Sequence, residues 1–330
     1  MNLKLLINLA LSVAVSALCL FLAFRNVPFA ELTAALDRFD TRWLVPAFLL
    51  SITLMVFRVW RWQLELQLLE RISFGRLWPV TAVSYMAITL LPVHLGEVVR
   101  PWLLSRRSSL SLSTAVGNLV VEKLMDLFCI VFYILLGLLT AEHLPAWVRS
   151  GAKFPAIFAV AFGLIVALLW LRREPFIDRI VGIMPERFAG GVGRILRALL
   201  DGMRILPNGR LVLTVFLLSL GLWFLPILSS WVIIRAFGFT VPFNAALIVF
   251  IFIGFGTALP NPPGMIGTFQ YACVLALGLF NVNQADALAY GLVLNAVQLV
   301  SLVVQGVIAV PLAGLSIDDF RRARAELAQA

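Results

Sequence analysis

Long runs without a charged side chain divide this chain into apolar segments. The runs cover residues 5–24, 43–57, 77–96, 127–141, 154–171, 211–234, 236–285 and 287–317. A helix that spans the hydrocarbon core of a bilayer needs about 20 mostly apolar residues, and a charge at its centre costs about 2.5–3.5 kcal/mol on insertion scales. The pattern therefore predicts an all-α, polytopic integral membrane protein with a single transmembrane domain over 1–330. A signal peptide is the weaker interpretation of 5–24, because that run is long for a signal core.

Two of these runs contain a break through which a helix cannot continue. Leu91–Gly96 reads Leu-Pro-Val-His-Leu-Gly, and Leu259–Gly264 reads Leu-Pro-Asn-Pro-Pro-Gly. Proline lacks the N–H and its ring clashes with the preceding turn. Irregular backbone at membrane depth is tolerated only where it is buried in protein or lines a wet cavity. The breaks therefore predict the tips of two re-entrant hairpins, with a full crossing on each side of each break as the alternative.

The basic residues favour the hairpins. With two hairpins, about six full spans place most of the 26 Lys and Arg residues on the side of both termini, which the positive-inside rule assigns to the cytoplasm. The hairpins then enter from opposite sides, as in the inverted repeats of transporters, with halves of about 43–140 and 211–313. We predict this arrangement in a bacterial-type inner membrane. Eight full spans, which would move the basic cluster after the first break outside, are the alternative.

Segment 172–210 has apolar and basic residues at helical spacing. It predicts an amphipathic helix on the cytoplasmic leaflet, where anionic lipids attract basic side chains. An ordinary positive-inside loop that is helical is the alternative. The formal net charge of +9 comes from arginine-rich loops, which the positive-inside rule explains. We therefore expect no binding of nucleic acid.

Three short motifs lie in or just after the apolar runs. They are Gly96-Glu97-x-x-Arg100, Glu122-Lys123-x-x-Asp126 and Pro263-Gly264-x-x-Gly267. In this order and spacing they resemble the membrane domain of lysylphosphatidylglycerol synthases and flippases, over nearly the whole chain. The resemblance implies a multi-span domain that acts on lipids, with flipping of a modified phospholipid as the expected activity. Many relatives have Glu where this chain has Gln270, which puts a role for negative charge at that position in doubt.

Charged residues near the breaks are the first candidates for substrate binding or ion coupling. Glu97 and Arg100 are three apart, so they share a helix face. Glu122 and Asp126 are four apart and repel each other, which requires a nearby cation: a basic side chain such as Arg100 or Lys123, a metal, or a substrate amine. A fixed salt-bridge network is the alternative to contact with substrate.

Polar groups of the second break form another set of candidates. Gly264 and Gly267 would let the backbone approach a lipid headgroup closely. The amides of Asn261 and Gln270 would bind a headgroup or satisfy backbone groups that the break leaves free.

Weaker candidates lie elsewhere. Arg58 and Arg61 end the second span, where arginine is typical of an interface anchor, and a contact with headgroup phosphate is the minority interpretation. His94 is predicted as a structural residue more than as a proton relay. Asn295 and Gln298 share a face of the last span, either toward a cavity or between helices.

Motifs for enzymatic chemistry are absent. The sequence has no His-Glu-x-x-His, no nucleophile beside a histidine and no nucleotide-binding glycine loop, so we expect no catalysis, metal or cofactor. The predicted function is movement of a phospholipid or lipid-linked precursor between leaflets. Its partners would be membrane lipids, a second copy of the chain or a transferase. The alternative is a membrane-embedded lipid-modifying enzyme, or an accessory subunit of a lipid or glycosyl transferase.

Overall fold

The apolar runs form helices in the computed structural model, which describes residues 3–90, 95–140, 150, 153–183, 186–257 and 262–314. These ranges contain no strand. The helices are α1 (Leu3–Phe24), α2 (Phe29–Asp37), α3 (Leu44–Leu66), α4 (Phe74–Leu90), α5 (Leu95–Arg107), α6 (Leu112–Thr140), α7 (Lys153–Leu171), α8 (Arg173–Gly182), α9 (Glu186–Asp201), α10 (Gly209–Ala236), α11 (Asn244–Thr257), α12 (Thr268–Gly278) and α13 (Gln284–Leu312). Short 3-10 turns lie at Thr41–Trp43 and Pro263–Met265.

Several described helices are long and apolar enough to cross a membrane. By length and composition they are Thr41–Leu66, Gly209–Ala236 and Gln284–Leu312, and α1 with α2 meets the same criterion as a pair bent by 82°. The all-helical prediction is therefore confirmed over the part of the chain that the structure describes. The number of spans stays a prediction.

The helices on either side of each break pack against each other, α4 on α5 and α11 on α12. The other pairings match between the two halves. In the first half α3 contacts α4 and α5 contacts α6; in the second half α10 contacts α11 and α12 contacts α13. Between the halves α3 packs on α10, and the contact of α4 with α13 has its counterpart in the contact of α11 with α6.

The first helix closes over the second break. The Ser16 hydroxyl donates to the Ile266 carbonyl at 2.6 Å, and α1 packs along α12. At the other end of α1, the Gln284 amide donates to the carbonyls of Leu22, Ala23 and Arg25 at 3.2, 3.0 and 3.0 Å. A helix end otherwise leaves such carbonyls without partners. The start of α13 thus caps α1.

The segment predicted as amphipathic forms α8 and α9, and α9 packs on α6. The contact is backbone to backbone at two glycines. A Cβ on Gly117 would lie 1.9 Å from the Leu199 carbonyl oxygen, and one on Gly202 would lie 2.2 Å from that of Thr114. Leu200 is buried while Ile195 is 56% exposed. Part of the apolar side therefore faces α6, and the location of this segment on a leaflet stays a prediction.

Candidate functional site

Arg61 lies at the centre of a buried group of charges. Arg61 is on α3, three residues after Arg58, and it is 1% exposed. Its guanidinium bonds to Glu122 at 2.7 Å and to Asp126 at 2.5 Å, both on α6, and to the Ser219 hydroxyl on α10 at 3.3 Å. A buried charge is tolerated when it is paired and hydrogen-bonded. Arg61 therefore ties three helices together inside the bundle.

Arg100, on α5, belongs to the same group. Its Nη1 atom donates to both carboxylate oxygens of Glu122, at 2.7 and 2.6 Å. Glu122 therefore receives hydrogen bonds from two arginines, on α3 and on α5. The Arg100 guanidinium also lies over the Trp62 ring, 4.0 Å from its centre, which stabilises a cation that is shielded from water.

The carboxylates outnumber the arginines that bind them. Glu65, one turn after Arg61, is 1% exposed. Its Oε1 lies 3.5 Å from Arg61 Nε, and neither of its oxygens has a hydrogen bond to any described residue. Asp126 accepts a further bond from Trp223 Nε1 at 2.9 Å. We call Arg61, Glu65, Arg100, Glu122 and Asp126 the charged cluster.

Two neighbours extend the charged cluster. Trp62 Nε1 donates to Asn118 Oδ1 at 3.1 Å, and both residues are buried. Half-buried Arg58 stacks on Tyr85, with its guanidinium carbon 3.8 Å from the ring centre. The same ring lies 5.8 Å from the guanidinium carbon of Arg100.

The second break has a neutral counterpart of this arrangement. Gln270 on α12 donates to Asn295 on α13 at 3.4 Å, and Asn295 donates to the Gly264 carbonyl at 3.1 Å. Gln270 also accepts from the Gly267 N–H at 2.7 Å. The two amides therefore satisfy backbone groups at the break, which is one of the two roles that the sequence left open for Gln270.

The two glycines of this break differ in their surroundings. Both have positive φ, +73° at Gly264 and +98° at Gly267, which L side chains rarely adopt. A Cβ on Gly267 would lie 2.6 Å from the Ser16 carbonyl oxygen, whereas one on Gly264 would meet only side-chain atoms at 3.7 Å and beyond. At Gly267 the close neighbour is therefore α1, and a role for either glycine at a headgroup stays a prediction.

Other predicted site residues lie outside the charged cluster or outside the described residues. His94 and Asn261 are not among the described residues, and of Glu97 the structure describes the helix only. Lys123 is exposed, on a different face of α6 from its neighbour Glu122, and Gln298 is half-buried.

One interpretation from sequence is wrong. Arg61 is buried between helices, at 1% exposure, so it is not an interface anchor, and its neighbour Trp62 is buried as well, at 3%. The aromatic and basic residues that end a span look alike in sequence whether they face lipid headgroups or a neighbouring helix. Trp60, by contrast, is 49% exposed.

Sequence reasoning missed Glu65, Asn118, Ser219 and Trp223. Glu65 stands four residues after Arg61, a spacing that pairs charges on a helix, so a signal existed. Nothing local distinguished the other three. Among the described residues, no group of three or more His, Cys, Asp and Glu side chains is arranged to hold a metal ion.

These features define a helical membrane protein with a buried charged cluster on α3, α5 and α6. A family model described as the lysylphosphatidylglycerol synthase TM region matches residues 9–306. The chain therefore belongs to this family, and the resemblance of its three motifs is confirmed. Both the family and the apolar helices support a protein embedded in a membrane.

Two relatives of this chain are described as UPF0104 membrane proteins. The chain is 23% identical over 222 residues to a UPF0104 membrane protein of Methanocaldococcus jannaschii, covering 67% of this chain and 91% of that protein. It is 22% identical over 307 residues to a UPF0104 membrane protein of Methanothermobacter thermautotrophicus, covering 88% and 90%. No solved structure matches the chain significantly.

Proposed function

We propose that this protein moves a phospholipid, or a lipid-linked precursor, between the leaflets of a bacterial-type inner membrane without catalysing a reaction. The polar headgroup would pass between the two hairpins while the acyl chains stay in the bilayer. The charged cluster is the observation that carries the proposal. The family and the apolar helices support a protein that is surrounded by lipid. The charged cluster adds polar groups inside the helix bundle, where a headgroup would need them.

The cost of the charged cluster favours a function beyond stability. Replacing a buried ion pair with well-packed apolar residues is often neutral or stabilising. Ionisable residues inside membrane proteins commonly mark the paths of substrates or ions. Five such residues, on α3, α5 and α6, are more than a clamp between three helices requires. Of these, Asp126 has the most exposed side chain of the three carboxylates, at 14% against 3% or less for Glu122 and Glu65.

Helix lengths support the re-entrant hairpins. The 14 residues of α11 and the 11 of α12 extend about 21 and about 17 Å, short of a hydrocarbon core of about 30 Å. The 13 residues of α5 extend about 20 Å. The matched helix pairings of the two halves further support a repeat, which in the predicted threading is inverted, with both termini in the cytoplasm.

The test is lipid movement in vesicles. Purified protein would be reconstituted with a phosphatidylglycerol labelled on its headgroup by a fluorophore, and a membrane-impermeant reductant would report how fast the label reaches the outer leaflet. We expect the protein to accelerate this movement, and the variant Asp126→Asn to slow it at least about tenfold, because a charged group in a water-excluded path contributes on the order of 1.5–3 kcal/mol. Asp178→Asn, which changes an exposed carboxylate of α8, is the matched control.

Three outcomes would be decisive. Vesicles with wild-type protein that move lipid no faster than empty vesicles would refute the proposal. Equal rates for Asp126→Asn and wild type would remove the charged cluster from the path. A covalently altered lipid in the same vesicles would favour the lipid-modifying enzyme.

A further inference from the structure

Glu65 is a buried carboxyl group without a hydrogen-bond partner. Its side chain is 0% exposed, and neither of its oxygens forms a hydrogen bond with a residue that the structure describes. Arg61 Nε is also buried without a partner. It lies 3.5 Å from Glu65 Oε1, beyond the usual N–H···O length of about 2.7–3.2 Å. A buried acceptor and a buried donor that face each other without bonding need a physical reason.

The charges that act most strongly on Glu65 are those of the charged cluster. They come from Glu122 and Asp126 on α6, Arg61 on α3 and Arg100 on α5. On α4, the titratable ring of Tyr85 faces Arg58 and Arg100. The other charged residues of the helices that pack on α3 lie near helix ends: Arg76 on α4, Arg210 and Arg235 on α10, and Asp286 on α13.

The charged cluster has one carboxyl group more than it has arginines. Glu122 accepts from both arginines and Asp126 accepts from Arg61, so these two carboxylates are paired anions. A third negative charge at Glu65 would be repelled by both of them and would be buried without a hydrogen bond, which is an unfavourable state for a carboxylate. A proton removes this charge and, unlike a metal ion or a headgroup, needs no cavity. The neutral acid is therefore the form of Glu65 that fits its surroundings.

Loss of this proton would change the pairing of Arg61. The guanidinium meets the three carboxyl groups through different nitrogens: Nη1 bonds to Asp126, Nη2 bonds to Glu122, and Nε faces Glu65. When the O–H bond of the acid breaks, the proton passes to water and the electron pair stays on Glu65. The new carboxylate then attracts Arg61 Nε and competes with Asp126 for the same guanidinium. The protonation of Glu65 therefore controls how firmly Arg61 holds Asp126.

We propose that Glu65 is a proton-binding site, and that loss of its proton loosens Arg61 from Asp126 so that Asp126 meets the lipid headgroup. The last step rests on the proposed function, in which Asp126 is the most exposed carboxylate of the charged cluster. The proton itself is detected without any lipid movement, so the two parts are tested separately.

Infrared spectroscopy of the full-length protein detects the proton. A protonated carboxyl group has a carbonyl stretch that a carboxylate lacks, and a detergent without ester groups keeps this region of the spectrum clear. We expect the acid band in the wild type at about pH 7, where exposed carboxyl groups are ionised because they titrate near about pH 4. Glu65→Gln has the size and the neutrality of the protonated acid, so it should fold and lose the band. Glu70→Gln is the matched control: Glu70 accepts from Ser109 N and Oγ at 2.8 and 2.6 Å, so its loss should leave the band unchanged.

Movement of labelled phosphatidylglycerol in vesicles tests the second part, with the same pH on both sides of the membrane. Between about pH 7 and about pH 9 the wild type should become at least about threefold faster, because the ionised fraction of an acid rises about tenfold per pH unit while it is small. Glu65→Gln has no proton to lose and keeps Arg61 on Asp126, so it should be slow at both values. Glu70→Gln should show the wild-type increase. In the wild type alone, the acid band should disappear over the pH range in which lipid movement rises, which tests the proposal even if Glu65→Gln does not fold.

The proton site would be overturned by a wild type without the acid band at about pH 7, or by a band that persists in Glu65→Gln. The link to Asp126 would be overturned by the same pH response in Glu65→Gln and wild type, or by a band and a rate that change over different pH ranges. An acid band that Glu65→Gln removes, in a protein that moves no lipid at any pH, would support the proton site and refute the proposed function.

Discussion

Arg100 and Glu122 form a buried ion pair in which one guanidinium nitrogen donates to both carboxylate oxygens, at 2.7 and 2.6 Å. The pair joins α5 to α6. Between α12 and α13 the same place is taken by two neutral amides, Gln270 and Asn295, 3.4 Å apart. The corresponding helices of the two halves are therefore joined by side-chain hydrogen bonds at the same place. The contact is between charged groups in the first half and between neutral amides in the second.

We expect the loss of either member of this pair to destabilise the protein strongly, and the two losses to be non-additive. Arg100→Gln and Glu122→Gln each leave a buried charge with fewer partners, at a cost of about 3–5 kcal/mol, and the double variant should recover part of the loss. Thermal melting in detergent measures this.

A pair at the surface provides the control for this cycle. Asp201 and Arg204 lie 3.4 Å apart with side chains about half exposed, so their coupling should stay below about 1 kcal/mol. Strictly additive losses for Arg100 and Glu122 would show that they do not act as a pair.

The sequence predicts the helices well and their contacts poorly. The uncharged run 211–234 lies within α10, Gly209–Ala236, because a long apolar run specifies a span locally. The pairing of Arg61 with Glu122 joins two residues that are 61 positions apart on different helices, and no local sequence pattern near Arg61 predicts it. Glu65 illustrates the difference: its spacing from Arg61 was visible, but its complete burial was not.

The topology of the first hairpin can be tested by cysteine labelling. Arg106→Cys and Arg194→Cys, both at exposed positions, should react with an impermeant thiol reagent only from the cytoplasmic side, and Arg42→Cys only from the opposite side. The native cysteines at 19, 129 and 273 are buried, so they should contribute little background. Labelling of position 106 from the side that labels position 42 would favour eight full spans.

The second break allows a graded series of glycine substitutions. Gly267→Ala places a Cβ 2.6 Å from the Ser16 carbonyl oxygen at a φ of +98°, so it should destabilise the protein by more than about 2 kcal/mol, through both the clash and the backbone strain. Gly264→Ala adds the strain without the clash and should cost about 1–2 kcal/mol. Melting temperatures in detergent rank the variants.

Gly278→Ala is the control in this series, because nothing lies within 4 Å of the added Cβ and its effect should stay within about 0.5 kcal/mol. A Gly267→Ala protein as stable as Gly278→Ala would mean that α1 does not pack closely on the second break.

The close contact of α9 with α6 should hold α9 in place. A Cβ on Gly117 would lie 1.9 Å from the Leu199 carbonyl oxygen, and one on Gly202 would lie 2.6 Å from the Asn118 backbone nitrogen. We therefore expect Gly117→Ala to displace α9 and to speed hydrogen exchange of the α9 amides at least about tenfold, since a backbone clash cannot be relieved by a side-chain rotation.

Gly191→Ala is the control. Gly191 is on α9 itself, and nothing lies within 4 Å of the added Cβ. This variant should slow exchange or leave it unchanged, because alanine favours a helix by about 1 kcal/mol over glycine. Mass spectrometry of peptides from α9 compares the two, and wild-type exchange in Gly117→Ala would show that this contact does not fix α9.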